Sequence, residues 1–278
     1  MRNRQAIGLG HTAEILTWKK NQVLKLFRDD WSLSAVRWEE KVARAVSETG
    51  LPVPGVYGVV EVDGRHGIVY DRVDGPSMLK EFIAKPEELE HFAKLFAELH
   101  VKMHSITTRE LPSQRRRLER KIRNAKPLPD KRKNAALEAL RQLTDGHVLC
   151  HGDFHPGNIL MSTRGPIIID WNDATQGNPQ ADIARTLLLL NPSKNMIVDH
   201  LTQKLGPQTR FDAEQIQASL NLFAETYLKR YTQIRYIPPD DVESWRLPVT
   251  AARLSEDIEI DENRLLSIVE ALSNASSL

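Results

Sequence analysis

The chain has 278 residues, 41% hydrophobic and 27% charged, enough for one large domain or two lobes with a substantial core. Its formal net charge of +1 supplies no overall field to gather a nucleic acid or an anionic membrane. No window nears the ~18 apolar residues of a membrane span, the N-terminus lacks the apolar stretch of a secretory signal, and the lone cysteine, Cys150, excludes an internal disulfide framework. The sequence therefore reads as that of a soluble, cytoplasmic protein.

The first 73 residues are strand-rich. "AEILTW" and "QVLKLF" flank the polar "KKN" and predict a hairpin. In "SLSAVRWEEKVARAVSETG", Val36, Glu39, Val42, Ala43 and Val46 recur at helical spacing, and Gly50 ends the run. "VYGVVEVDGRHGIVY" holds two β-rich runs around Asp63-Gly64, a strong signal for a second hairpin. A boundary is expected at Val73-Asp74-Gly75, dividing the chain into residues 1–73 and 74–278. Beyond it, helices are predicted over "SMLKEFIA", "PEELEHFAKLFAELHVKMHS", "SQRRRLERKIRNA" and "DKRKNAALEALRQL", then over 180–191, 194–204, 213–234 and, in pieces, 241–275. The basic run "QRRRLERKIRNAK" reads as a solvated helix face. It has no interleaved aromatics to stack nucleobases, so neither nucleic acid nor membrane is an expected partner.

The segment "CHGDFHPGNILMSTRGPIIIDW" (150–171) concentrates polar residues between apolar runs. Pairing "NILM" with "PIIID" about Arg164 sets Asn158 opposite Asp170, and Asp153 precedes Asn158 by five residues. An amide oxygen beside a carboxylate suits Mg²⁺ holding a phosphate. The bland alternative is a polar turn whose Asp and Asn satisfy backbone amides. Near the N-terminus, Gly8-Leu9-Gly10 forms a glycine-rich turn, where backbone amides can approach a phosphate closely. Lys25, in the apolar "VLKLF", needs a partner if buried, or snorkels to solvent if its strand is an edge. Glu39 lies on the apolar stripe of its helix and meets that need, whereas Glu40 points off the stripe.

On "GLGHTAEI", "VLKLF", the helix glutamate followed by "GLPVP", "HGDFHPGN", "IIIDWNDA" and "GNPQADIAR", the chain resembles the aminoglycoside phosphotransferase and choline kinase family, small-molecule relatives of the protein kinases. The resemblance implies a protein-kinase-like α+β fold: an N-lobe with a five-stranded antiparallel sheet and one helix, and a larger, mainly helical C-lobe, with nucleotide bound between them. It implies that Asp153 is the catalytic aspartate and that Asn158 and Asp170 hold Mg²⁺. Lys25 would hold the α and β phosphates, oriented by Glu39, with Gly8 and Gly10 over them. Asp71-Arg72-Val73 would be the lobe connection that meets the adenine, and Asp182 would brace the catalytic loop. The implied activity is transfer of the γ-phosphate of ATP, with GTP possible, to a hydroxyl of a small molecule of aminoglycoside, choline or other alcohol type. A kinase-shaped scaffold that binds nucleotide with little transfer is the alternative.

Protein kinases carry an Arg before the catalytic Asp, where this chain has Gly152, and only "WNDATQGNP" follows Asp170. With no room for an activation segment, activity is expected to be constitutive and directed at a small acceptor. His151 is expected to pack and hydrogen-bond, His155 to make a local loop bond, and Cys150 to be buried. The acidic "PPDDVES" and "SEDIEIDEN" suit solvated helices, or else a cationic acceptor. Trp171, Tyr227, Tyr231, Tyr236 and Trp245 are either core or an aromatic wall for a sugar or quaternary ammonium.

Overall fold

Asp63 and Gly64 both take positive φ, 53° and 80°, the backbone that a two-residue hairpin turn of matching twist requires. They join β4 (Val56–Val62) to β5 (Arg65–Asp71), and β1 (Ala6–Leu9), β2 (Ala13–Thr17) and β3 (Gln22–Phe27) complete an antiparallel sheet in the order β1-β2-β3-β5-β4. This computed structural model describes residues 5–9, 12–198 and 212–275. By its contacts the chain forms two compact units, one of residues up to Glu81 with Pro156–Asp173, the other of Phe82–His155 with the chain from Ala174 onward.

In the first unit, strand alternation decides which side chains meet the helix. Leu24 and Leu26 of β3 join Leu16, Val62 and Val69 on one face. Phe27, two residues from Lys25, joins Ala13, Ile68 and Val36 of α1 (Leu33–Ser47) on the other. β3 is the middle strand, so Lys25, paired with Ile15 and Ile68, has no edge from which to reach solvent. Ser32 caps α1 by accepting from the Ala35 amide at 3.3 Å. Val36, Glu39, Val42, Ala43 and Val46 are its buried residues, as the periodicity predicts. Each buried valine contributes about 1.5–3 kcal/mol of apolar transfer.

The same unit includes β7 (Ile159–Ser162) and β8 (Gly165–Ile168), far along the chain. Hydrogen bonds from Met161 N to Pro76 O and from Ile168 N to Pro52 O, both 2.8 Å, tie this hairpin to residues before Glu81. The first unit thus continues past the residue-73 boundary set by composition. The hairpin register corrects the sequence reading by one residue. Ser162 pairs with Gly165 and Ile159 with Ile168, so Thr163-Arg164 form a two-residue turn. The Ile169 amide donates to Asn158 O at 2.9 Å, and Asp170 lies one position beyond.

The second unit is mainly helical: α3 (Leu89–His104), α4 (Gln114–Asn124), α5 (Asp130–Gln142), α6 (Pro179–Leu190), α7 (helical over 194–198), α8 (Ala213–Ile234), α9 (Pro239–Ser244), α10 (Arg246–Arg253) and α11 (Glu259–Ala275). α2 (Met78–Ala84) leads into it. The rest of the helix predicted over 194–204 lies outside the described residues. α3 packs on α8 through Phe96, which stacks on Phe154 at 4.2 Å and meets Phe223 and Tyr227 edge-on. A small strand pair, β6 (Val148–Cys150) with β9 (Thr175–Gly177), was not anticipated. Three residues a side are too few to show alternation. Among the described residues, no helix is long and apolar enough to cross a membrane.

Candidate active site

Lys25 Nζ sits 2.7 Å from Glu39 Oε1 and 3.1 Å from Asp170 Oδ1, and donates to Asn172 Oδ1 at 3.4 Å. Three elements of one unit thereby converge on a single ammonium. The Lys25 and Glu39 side chains are nearly buried, with 14% and 7% exposed. Burial alone would lower the lysine's pKa, but the carboxylates of Asp170 and Glu39 carry it above the ordinary value. For Glu39 burial dominates and raises the pKa despite the neighbouring ammonium. Glu40 instead pairs with Arg44 one turn on, as its position off the stripe implies. The Lys25 ammonium also lies 5.6 Å from the Phe27 ring centre.

Asp170 has φ +66°, a left-handed conformation uncommon outside glycine. Its backbone therefore leaves strand geometry just where the carboxylate, 40% exposed, turns to Lys25. Asn158, buried, ends a short 3₁₀ turn over Pro156–Asn158. Together they offer the amide and carboxylate oxygens that a hard divalent cation takes.

Gly8 is within β1, at an irregularity in its pairing with β2. A Cβ there would meet only Ile15 at 3.6 Å, so packing does not demand glycine. Gly10 lies outside the described residues. Arg72 and Val73 follow β5 as irregular chain. The Arg72 amide is already spent on Asn21 O at 2.9 Å, and its side chain on Asp74. Asp71 ties β4 in place, accepting from Gly55 N and Tyr57 Oη.

In the second unit, Asp153 is held from several sides. Gly152 has φ +79°, strained for any side chain, which gives a physical reason for glycine where protein kinases carry arginine. The His151 and Gly152 amides donate to Asp182 at 2.7 and 2.8 Å, and the Asp153 amide donates to His151 Nδ1 at 3.2 Å. His151 is thus a buried hydrogen-bonding residue, as expected. Asp182 also receives His100 Nε2 and His104 Nε2, each at 3.2 Å, while the Nδ1 atoms of those rings meet the hydroxyls of Tyr227 and Tyr231 at 2.8 Å. A neutral tautomer with the proton on Nε2 satisfies every one of these contacts. Burial, and then the His104 charge, push His100 down to about 3. The group therefore braces the loop as a closed hydrogen-bonded network rather than standing open for a metal. Tyr227, Tyr231 and Trp245 are core, not an aromatic wall.

Arg185 donates from Nη2 to Asp153 Oδ1 at 3.1 Å and to Glu256 Oε2 at 2.9 Å, and from Nε to Gly152 O at 3.1 Å. His155 Nε2 stands 3.7 Å from Asp153 Oδ2. Burial would raise the Asp153 pKa, but the His155 imidazole and the charges of Arg185 and His151 hold it well below the usual carboxylate range. Arg185, Glu256 and Asn172 were not singled out from sequence. Arg185 was the findable one: it is one helical turn from Asp182 in "ADIAR", on the same face of α6.

A family model for the phosphotransferase enzyme family matches residues 7–231. No curated protein matches the chain. Among solved structures, a thermostable mutant of aminoglycoside phosphotransferase APH(4)-Ia, in ternary complex with ADP and hygromycin B, is similar with TM-score 0.65 and 15% identity, over 98% of this chain and 94% of that one. The streptomycin-ATP-APH(2")-IIa ternary complex gives 0.59 and 16%, over 99% and 91%. Aminoglycoside-3'-phosphotransferase of type VIII gives 0.57 and 16%, over 90% and 93%. The protein-kinase-like fold is therefore established.

Proposed function

Because the chain belongs to the phosphotransferase enzyme family, we propose that it moves the γ-phosphate of a magnesium-bound nucleoside triphosphate, ATP before GTP, to a hydroxyl group of a small molecule. The observation that carries this reading is the Lys25–Glu39 pair at 2.7 Å with Asp170 on the same ammonium. A buried lysine held by carboxylates is a fixed positive charge for phosphate oxygens, and phosphoryl transfer needs positioning and charge neutralisation above all.

Asn158 and Asp170 supply hard oxygen donors and would hold Mg²⁺, which when bound neutralises charge on the phosphates. Val73 is the natural contact for the base, since Arg72 has committed its amide to Asn21. Asp153 orients the acceptor hydroxyl. Its depressed pKa makes it a weak proton store, so its part is to accept a hydrogen bond from the hydroxyl and fix the attacking oxygen, taking the proton late. Only residues 171–178 separate Asp170 from α6, and they form a 3₁₀ turn, a short strand and the Asn178 cap. That leaves no platform for a peptide and supports a small acceptor.

The test is nucleotide consumption with Mg·ATP across a panel of hydroxyl compounds. Acceptor-dependent release of ADP supports the reading. Nucleotide binding without consumption under any acceptor would leave only a kinase-shaped binding protein.

A further inference from the structure

Asp153 is gripped by a side chain that is itself gripped. Arg185, buried on α6, donates from Nε to Gly152 O and from Nη2 to Asp153 Oδ1, both at 3.1 Å. One edge of the guanidinium thus holds both the backbone of the loop and the carboxylate that the loop presents, a forked geometry that lysine cannot supply. The same Nη2 donates to Glu256 Oε2 at 2.9 Å. Glu256 closes a 3₁₀ turn, Leu254–Glu256, between α10 and α11, and Asp257 after it takes a left-handed φ of +51°. Its carboxylate also receives Lys121 of α4 on Oε1 at 3.0 Å and Arg253 of α10 on Oε2 at 3.1 Å. Every member of this chain of contacts belongs to the second unit.

Arginine has a long side chain with large rotamer entropy, so a hold on Asp153 is only as firm as whatever fixes the guanidinium. Glu256 supplies that far anchor. Cations from three helices, α4, α6 and α10, converge on its carboxylate, so helix packing sets where it stands. Burial would raise the Glu256 pKa, but the charges of Arg185, Lys121 and Arg253 bring it down to about 2, which keeps it an anion at any ordinary pH. Its position passes through one hydrogen bond to Arg185 and through a second to Asp153. Placement of the attacking oxygen is demanding, since an error of about 1 Å can cost on the order of 10²-fold in rate. Glu256 lies beyond residue 231, where the match to the family model ends, so that match assigns it no role.

We propose that Glu256 is a positioning residue for phosphoryl transfer: it fixes the Arg185 guanidinium and, through it, the carboxylate of Asp153 that orients the acceptor hydroxyl. This rests on the phosphotransfer reading and deepens it, extending the support of the reacting end from the catalytic loop to the C-terminal helices. Because Glu256 acts through Arg185 and Asp153, its loss falls on kcat and leaves the KM for nucleotide as it was.

The experiment is a kinetic cycle on the full chain with Mg·ATP and a productive acceptor. Glu256→Gln keeps the length and one oxygen but loses the charge. It is expected to lower kcat about tenfold with the KM for nucleotide within about twofold, and to cost no more than about twofold when added to Arg185→Gln. Arg185→Lys, which keeps the charge without the fork, should also lose about tenfold in kcat. Glu256→Asp keeps the anion, and with it the fold, but draws it back by one methylene; it is expected to show the same split and decides the matter where Glu256→Gln does not fold. A folded Glu256 variant with the parent's kcat would overturn the proposal. So would a loss that multiplies in full on that of Arg185→Gln, because a merely structural carboxylate acts through Lys121 and Arg253 as well. Proton exchange of the Arg185 Nε–H, identified in NMR spectra by its absence in Arg185→Lys, gives a readout without turnover. Relative to the His151 amide it should exchange about tenfold faster in either Glu256 variant, and an unchanged rate would overturn the proposal. If the exchange behaves as expected while no acceptor supports nucleotide consumption, the transfer reading fails and the anchoring of Arg185 by Glu256 stands.

Discussion

Lys25 and Glu39, one on the central strand and the other on the helix that covers it, meet at 2.7 Å with both side chains nearly buried. Removing the carboxylate leaves the ammonium with Asp170 as its remaining acidic partner. Glu39→Gln is therefore expected to lower kcat/KM for nucleotide at least tenfold and stability by about 1–3 kcal/mol, the usual penalty for stranding a buried charged group. Steady-state kinetics and denaturant unfolding check both. Glu40→Gln, which releases only Arg44, should change neither.

Asp153 stays ionised through mildly acidic pH because neighbouring positive groups outweigh its burial. The pH–rate profile should accordingly show no acid limb from this group above about pH 4. Arg185→Gln removes one of those charges and the bridge to Glu256. It is expected to cut kcat at least tenfold and to bring an acid limb into the measurable range. A merely structural arginine would lower stability without moving the profile.

The brace around Asp182 should make the fold acid-sensitive. His100, at about 3 in the folded protein, remains neutral where an unfolded histidine protonates near 6.5. As pH falls through 6.5 the unfolded chain takes up a proton that the native chain refuses, so stability declines from there down to about 3. His104 is lowered for the same leading cause, burial, and adds to the slope. Asp182, held well below its ordinary value by the histidines despite its burial, adds a further loss below about pH 4. Melting temperature measured from pH 7.5 to 4.5 should fall steadily, and less steeply in His100→Asn. A flat curve would contradict the tautomers assigned here.

Lys121 has the same sign at higher pH. It faces Glu256, Arg185 and Arg117, with Arg253 on the same glutamate, and titrates at about 8. The native state sheds this proton before the unfolded state does, so its contribution to stability rises between about pH 8 and 10.4, and at pH 7 its charge is a cost. Lys121→Met is expected to hold or raise the melting temperature at pH 7, as thermal unfolding would show. Glu256→Gln, which strips Lys121, Arg185 and Arg253 of a shared counter-ion, should destabilise by about 3–5 kcal/mol.

The parts of this site visible in the sequence were those encoded locally. Glu39 stood out from Glu40 because helical periodicity placed it among valines, and Lys25 because it interrupted an apolar strand. Asn158 and Asp170 are recognisable as a hairpin end, yet the register is one residue off because the turn centres between Thr163 and Arg164 and not on Arg164. The ion pairs around Glu256 were illegible for a different reason. Lys121 and Glu256 are 135 residues apart, and neither interrupts a pattern of its own helix or turn. Only packing reveals that one acidic residue of a seemingly solvated tail is the common partner of three cations.

Substitution of Asp153 by Asn gives the most direct measurement. It preserves shape and removes the carboxylate that is meant to fix the attacking hydroxyl. With Mg·ATP and a productive acceptor, acceptor-dependent ADP release should fall by about 10²–10⁴-fold while nucleotide affinity stays within twofold. An unchanged rate, or an equal loss of nucleotide binding, would contradict the assignment of phosphoryl transfer to this aspartate.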